Sequence, residues 1–133
     1  MSPFLAELVG TTLVLTIGTG VVANVSLPKT KGNQEGYLAV TLGWFTAVFV
    51  GVYATATISG AHLNPAVTIG LAVAGKFSWD QVPSYLLAQL LGAMLGAVLA
   101  WLAHRQHFDE STDAATKLGV FCTSPSIKNP FHN

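Results

Sequence analysis

Four polar side chains stand out in a chain that otherwise avoids them. His62 and Asn64 fall within "SGAHLNPAVT" (59–68), inside a stretch from Gly36 to Gly75 that holds no Asp, Glu, Lys or Arg. Glu7 is the one charge in an apolar run near the N-terminus, and Gln89 is the one amide in a later run. The chemistry such residues offer here is hydrogen bonding and not bond making. The chain has no nucleophile–base pair, no Gly-rich phosphate loop and no His or Cys cluster at metal-ligand spacing, so neither an enzyme nor a bound cofactor or metal is expected. His104 and His107 are three residues apart with Asp109 and Glu110 nearby. A metal site is one reading of them, but anchoring at a membrane interface is favoured.

The elements that must position these residues are membrane spans. The 133 residues are 51% hydrophobic and 9% charged, against about 25% charged in soluble domains. Six basic and six acidic residues balance, which gives no electrostatic pull toward nucleic acid. Three runs, about 4–25, 37–58 and 82–103, have the roughly 20 apolar residues that a helical span needs. The first has no basic segment before it and is too long for a signal-peptide core, so it is expected to stay as a span. "SLPKTKGNQEG" (26–36) reads as an exposed loop, and 104–133 reads as a long surface segment with a short helix near 111–118. The single cysteine, Cys122, has no partner in the chain for a disulfide.

The stretch 59–75 is different. Asn64 is a favoured helix N-cap and Pro65 a favoured first residue. From Pro65 to about Gly75 there is room for roughly 16 Å of helix, about half a bilayer. "GKFSWDQVP" (75–83) then returns to water-facing chemistry. The pattern predicts a re-entrant segment, extended on the way in and helical on the way out. Backbone of that kind is tolerated only within protein or along a water-filled cavity, so the carbonyls of Gly60, Ala61 and His62 are expected to face water or solute. The half-helix would bring its positive dipole end to the membrane centre, with the Asn64 amide as a fixed donor. Such a lumen suits water or hydroxylated solutes and opposes cations and protons.

With "SGAHLNPAVT", "AELVGT" in the first span and "QLLGAMLGA" in the third, the sequence resembles the N-terminal half of an aquaporin-family (major intrinsic protein) channel. The resemblance implies an all-α membrane protein, half of an inverted-repeat channel, with three transmembrane helices and one re-entrant half-helix. It implies that Asn64, Pro65 and Ala66 form the first of two signature motifs and that the His62 carbonyl faces the pore. It also places a selectivity position at Trp44, eighteen residues before His62, where the glycerol-conducting branch carries Trp and the water-selective branch carries Phe. Val48, one turn on, would extend the apolar wall. Glu7 can be read as a proton-relay carboxylate; the resemblance implies instead that it is a buried acceptor holding the loop, with Gln89 in a like role. Gly92 and Gly96, with Ala93 and Ala97, form a close-packing face, expected between the two halves of a protomer. "VFCTSP" (120–125) resembles an outer-vestibule loop of glycerol facilitators.

The function expected is passive passage of glycerol, small uncharged solutes and some water across the cell membrane. A water-selective channel, a non-conducting half-channel and a gradient-coupled transporter are the alternatives. The resemblance further implies homotetramers and a second channel half, with another Asn-Pro-Ala motif and an arginine, which these residues do not supply. One expectation conflicts. With the cytoplasmic N-terminus that the resemblance implies, the inner side carries only Lys76, while Lys29, Lys31, Arg105, Lys117 and Lys128 lie outside. The positive-inside rule would favour the reverse.

Overall fold

The computed structural model describes residues 1–123 together with 125, 127, 129 and 131, and these are helical or irregular with no strand among them. The helices are α1 Pro3–Ser26, α2 Tyr37–Ser59, α3 Pro65–Val73, α4 Val82–Ala103, α5 Arg105–Glu110 and α6 Ala114–Gly119. α1, α2 and α4 have 24, 23 and 22 residues and are long and apolar enough to cross a membrane. Their bounds agree with the expected spans to within a residue at each end.

Local chemistry sets the helix ends. Ser2 caps α1, its hydroxyl accepting from the Leu5 amide at 3.3 Å, and Pro3 opens the helix. Asn64 caps α3, with Oδ1 accepting from the Ala66 amide at 2.7 Å and Pro65 at the first position. α3 closes on Gly75 in the left-handed region (φ 69°). The amides of Lys76 and Gly75 return to the carbonyls of Leu71 and Ala72, at 2.9 and 3.1 Å. That double bond is the Schellman stop, and it ends the helix after nine residues.

α1 is the middle element and packs on both α2 and α4, while α3 packs on α4. Small residues allow the close approach. A Cβ on Gly92 would lie 2.5 Å from the Leu8 carbonyl oxygen, and one on Gly96 would lie 2.8 Å from that of Thr12. The glycine face of α4 therefore packs on α1 within this repeat. The expected place between channel halves is corrected, because that face is already filled by α1 backbone. Toward α2 the pattern reverses hand. Gly51 receives Val14, Gly43 receives Val21, and Gly18 on α1 receives Trp44. Three threonines of α1 fit because their hydroxyls bond back one turn: Thr12 to the Leu8 carbonyl at 2.7 Å, Thr16 to that of Thr12 at 2.7 Å, and Thr19 to that of Leu15 at 2.5 Å.

At the end where α1 leaves its span, α5 and α6 form a cap. Phe108 and Val120 bury against Ala23 and Leu27. His107 Nδ1 is 3.0 Å from the Pro28 carbonyl, and Lys29 pairs with Glu110. The surface segment thus holds two short helices, where a single one near 111–118 was expected. Six-residue helices have too little periodicity to be read from sequence. Ser124 and Lys128 lie outside the described residues.

Two predictions follow from this packing. Gly92→Ala forces α1 and α4 apart and is expected to lower stability by about 1–3 kcal/mol. Gly70→Ala, with nothing within 4 Å of the new Cβ, is expected to be neutral or to stabilise by up to about 1 kcal/mol. Thermal unfolding of the purified variants in detergent separates them. The second concerns pH. The hydrogen bond and charge of Lys29 hold the Glu110 carboxyl below its usual range, and the Thr116 hydroxyl with the amides of Ala115 and Thr116 does so for Asp113. A lowered folded-state value stabilises fully above the ordinary carboxylate range and fades as pH falls through the lowered one. Amide-exchange protection at 105–119 is expected to hold at neutral pH and drop in that acid window, with the spans unaffected.

Candidate functional site

The site is the turn between α2 and α3 and the groups that hold it. α2 ends as Gly60 turns left-handed (φ 82°), its amide returning to the Ala56 carbonyl at 3.0 Å. Ala61 and Leu63 follow with φ of 50° each, a conformation in which side-chain-bearing residues are strained. These φ values turn the amides of His62 and Leu63 toward one point. That point is Glu7.

The Glu7 carboxylate is wholly buried and accepts four hydrogen bonds. Oε1 takes the Ser59 hydroxyl at 2.7 Å and the His62 amide at 2.9 Å. Oε2 takes the Leu63 amide at 2.7 Å and Gln89 Nε2 at 2.8 Å. A carboxylate has about four lone-pair sites, so none is left for a travelling proton. The relay reading of Glu7 therefore has no open position to work from. The acceptor set also fixes the amide of Gln89, since only Nε2 can face a carboxylate. The same Nε2 lies 2.9 Å from Thr68 Oγ1. Gln89 Oε1 and Thr11 Oγ1 are buried with no partner among the described residues.

Side chains lock the turn as firmly as the backbone bonds do. Leu63 inserts between α1 and α2, where a Cβ on Gly10 would be 2.5 Å from its Cδ2 and one on Gly51 would be 3.0 Å from its Cδ1. The His62 ring is caged. Its Nδ1 is 3.1 Å from Thr68 Oγ1, and its centroid lies 4.6 Å from Phe77 and 4.9 Å from Tyr85. The Tyr85 hydroxyl donates to the Ser59 carbonyl at 2.8 Å. Ser59, Leu63, Thr68, Phe77 and Tyr85 were not picked out from sequence. A signal existed for two: Thr68 is one turn past Asn64, and Tyr85 is one turn before Gln89.

What remains open defines what the site can do. Among the described residues no donor reaches the carbonyl oxygens of Gly60, Ala61 or His62. Asn64, Pro65 and Ala66 are exposed, with the Asn64 oxygen committed to its cap. Its NH2 is left to act as a donor at the positive end of a helix. Trp44 and Val48 stand apart from this cluster on α2. Trp44 is half-buried with its six-membered ring against Gly18, and Val48 is 48% exposed one turn on. The structure thus gathers Glu7, His62, Asn64 and Gln89 at one place and puts Trp44 and Val48 at another level. His104 and His107 belong to neither. Their Nδ1 atoms lie 3.0 Å from the carbonyls of Ala100 and Pro28.

Glu7→Gln replaces one acceptor oxygen with a donor facing donors. It is expected to orphan about two buried N–H groups, at roughly 1–3 kcal/mol each. The unfolding temperature in detergent should fall well below that of the parent chain. An unchanged melting curve would show that the carboxylate does not hold the turn.

The family model described as "Major intrinsic protein" matches residues 1–128. The "Probable glycerol uptake facilitator protein" of Thermotoga maritima is 51% identical over 128 residues, 96% of this chain and 55% of that protein. The glycerol uptake facilitator protein of Bacillus subtilis is 47% identical over 133 residues, 100% of this chain and 48% of its own length. The chain spans about half the length of the curated relatives it matches. An X-ray structure of the aquaglyceroporin from Plasmodium falciparum superposes with a TM-score of 0.73 and 36% identity, covering 80% of this chain and 43% of that one. The chain is thus matched over nearly its whole length by sequence and over most of it by fold, and it belongs to the major intrinsic protein family.

Proposed function

We propose that residues 1–133 are the N-terminal half of an aquaporin-like channel domain and form one wall of a passive pore in the cell membrane. The solutes are glycerol and similar small uncharged molecules, with some water. The observation that carries this reading is the held turn at 60–64, which leaves three backbone carbonyls in a row without partners among the described residues and ends in the Asn64 donor. A hydroxylated solute can exchange water for those acceptors and that donor one at a time. A cation meets the positive end of α3 and gains no compensating charge. No covalent step is involved.

Trp44 and Val48 supply the apolar side. A polyol presents carbon on one side and hydroxyls on the other, and an indole face accommodates the carbon. The names of the Thermotoga maritima and Bacillus subtilis relatives, both glycerol uptake facilitators, support this choice over water alone. The wall requires a second channel half, facing this one across the lumen. Assembly as a homotetramer is what the family resemblance implies, and the exposed ladder of Phe45, Phe49 and Tyr53, with centroids 6.5 and 6.0 Å apart, is available for it.

The test is stopped-flow light scattering on vesicles holding the full channel. Trp44→Phe is expected to lower the glycerol-to-water permeability ratio by roughly fivefold, the equivalent of about 1 kcal/mol of apolar contact at the narrow point. An unchanged ratio with rapid water flow would favour the water-selective reading. Glycerol uptake that follows an ion gradient would overturn the channel altogether.

A further inference from the structure

Trp44 is seated by a vacancy on a neighbouring helix. Gly18 lies in "TIGTG" of α1 and is buried. A Cβ built there would collide with the six-membered ring of Trp44: with Cζ3 most closely, with Cε3 at 2.5 Å and with Cη2 at 2.7 Å. Real Cβ atoms essentially never come within 3.0 Å of a neighbour, and ordinary contact begins near 3.4 Å. One methyl at this position therefore displaces the indole by roughly 1 Å. A long aliphatic chain could bend its far end away, but a fused ring moves as a unit.

The neighbours leave the ring little choice of direction. Next to it in sequence, Gly43 receives Val21 of α1, whose Cγ1 and Cγ2 would be 2.6 Å from a Cβ. About two turns further on, Gly51 receives Val14, at 2.6 Å from its Cγ2. α1 and α2 are thus interlocked on both sides of Trp44. The ring cannot be relieved by sliding one helix along the other without breaking two further contacts. Its remaining freedom is away from α1, toward its own exposed side. By contrast, a Cβ on Gly20, two residues along the same helix, meets only His104 Cε1 at 3.9 Å, an ordinary contact.

We infer that Gly18 is a specificity-determining positioning residue: by having no side chain it sets how far the Trp44 indole stands into the lumen, and so the ratio of polyol to water passage. The inference rests on the channel reading above. It concerns a residue that touches no solute and acts through Trp44.

The experiment uses the full channel in a Trp79→Phe/Trp101→Phe background, where Trp44 is the one indole left in this half. Two readouts are taken: Trp44 emission with acrylamide quenching, against the same background carrying Trp44→Phe to subtract any other indole, and the glycerol-to-water ratio in vesicles. Gly18→Ala is expected to shift the emission maximum and quenching and to lower the ratio severalfold. Gly20→Ala is expected to change neither. In Gly18→Ala/Trp44→Phe the smaller ring vacates the seat, so its ratio should match that of Trp44→Phe alone. Unmoved Trp44 emission in Gly18→Ala overturns the inference. So does a shifted emission with an unchanged ratio while Trp44→Phe lowers it, and this outcome leaves the channel reading intact. If Trp44→Phe itself leaves the ratio unchanged, the selectivity reading of Trp44 fails first, and the role given to Gly18 falls with it. Should Gly18→Ala fail to insert, recovery by adding Trp44→Phe supports the seat, and no recovery overturns it.

Discussion

Peptide groups that leave a helix at membrane depth must find partners inside the protein or along a water-filled cavity, and everything else in this structure is arranged around that requirement. The turn from α2 to α3 takes Ala61 and Leu63 through left-handed φ values, which costs on the order of 1–3 kcal/mol at each strained position. The return is that two amides converge on one carboxylate. Glu7 gathers them together with Ser59 and Gln89, so one buried charge is compensated by four donors and one strained turn is held by the same four bonds. Neither is stable without the other. A buried carboxylate without donors is costly, and a turn without its clamp would keep its strain and lose the bonds that offset it.

The clamp also decides which polar groups are left over for function. It takes amides and leaves carbonyls. The Asn64 side chain takes one more amide, at the start of α3. What then faces the open side is acceptors from the turn and a donor from the cap, the two complements a hydroxyl group needs. Coupled transport would require a titratable or ion-binding group that changes partners during the cycle. Glu7 has a full set of partners, and the His62 ring is packed between Phe77 and Tyr85. These groups are thus engaged in holding the turn, in keeping with the passive passage proposed above.

Much of this was legible in the sequence, and the limits have physical causes. α4 begins at Val82 and ends at Ala103 as expected, because apolar length and flanking polarity are properties of the segment itself. α3 was legible for the same reason: Asn64-Pro65 starts it and Gly75 stops it, both by local backbone chemistry. Ala61 and Leu63 gave no sign of left-handed backbone, since nothing intrinsic to Ala or Leu favours it and the stabilising partner is more than fifty residues away at Glu7. Gly92 and Gly96 advertised a close-packing face without naming its partner, so α1 could not be told from a second channel half. α5 was missed because its six residues hold together through Phe108 packing on Leu27, a contact without a local signature.

α1 is what relates the two levels of the site. It carries Glu7, which holds the turn, and Gly18, which receives Trp44. The two are eleven residues apart, close to three turns, so they project from nearly the same side at an axial separation of roughly 16 Å. Leu63 and Val14 pack in between, at Gly10 and Gly51. A rigid helix thus sets both the height and the bearing of the apolar wall relative to the donor at Asn64. In the pore proposed above, a solute with carbons on one side and hydroxyls on the other would be selected by how those two levels are registered. Placing both anchors on one helix ties that register to the geometry of α1 itself.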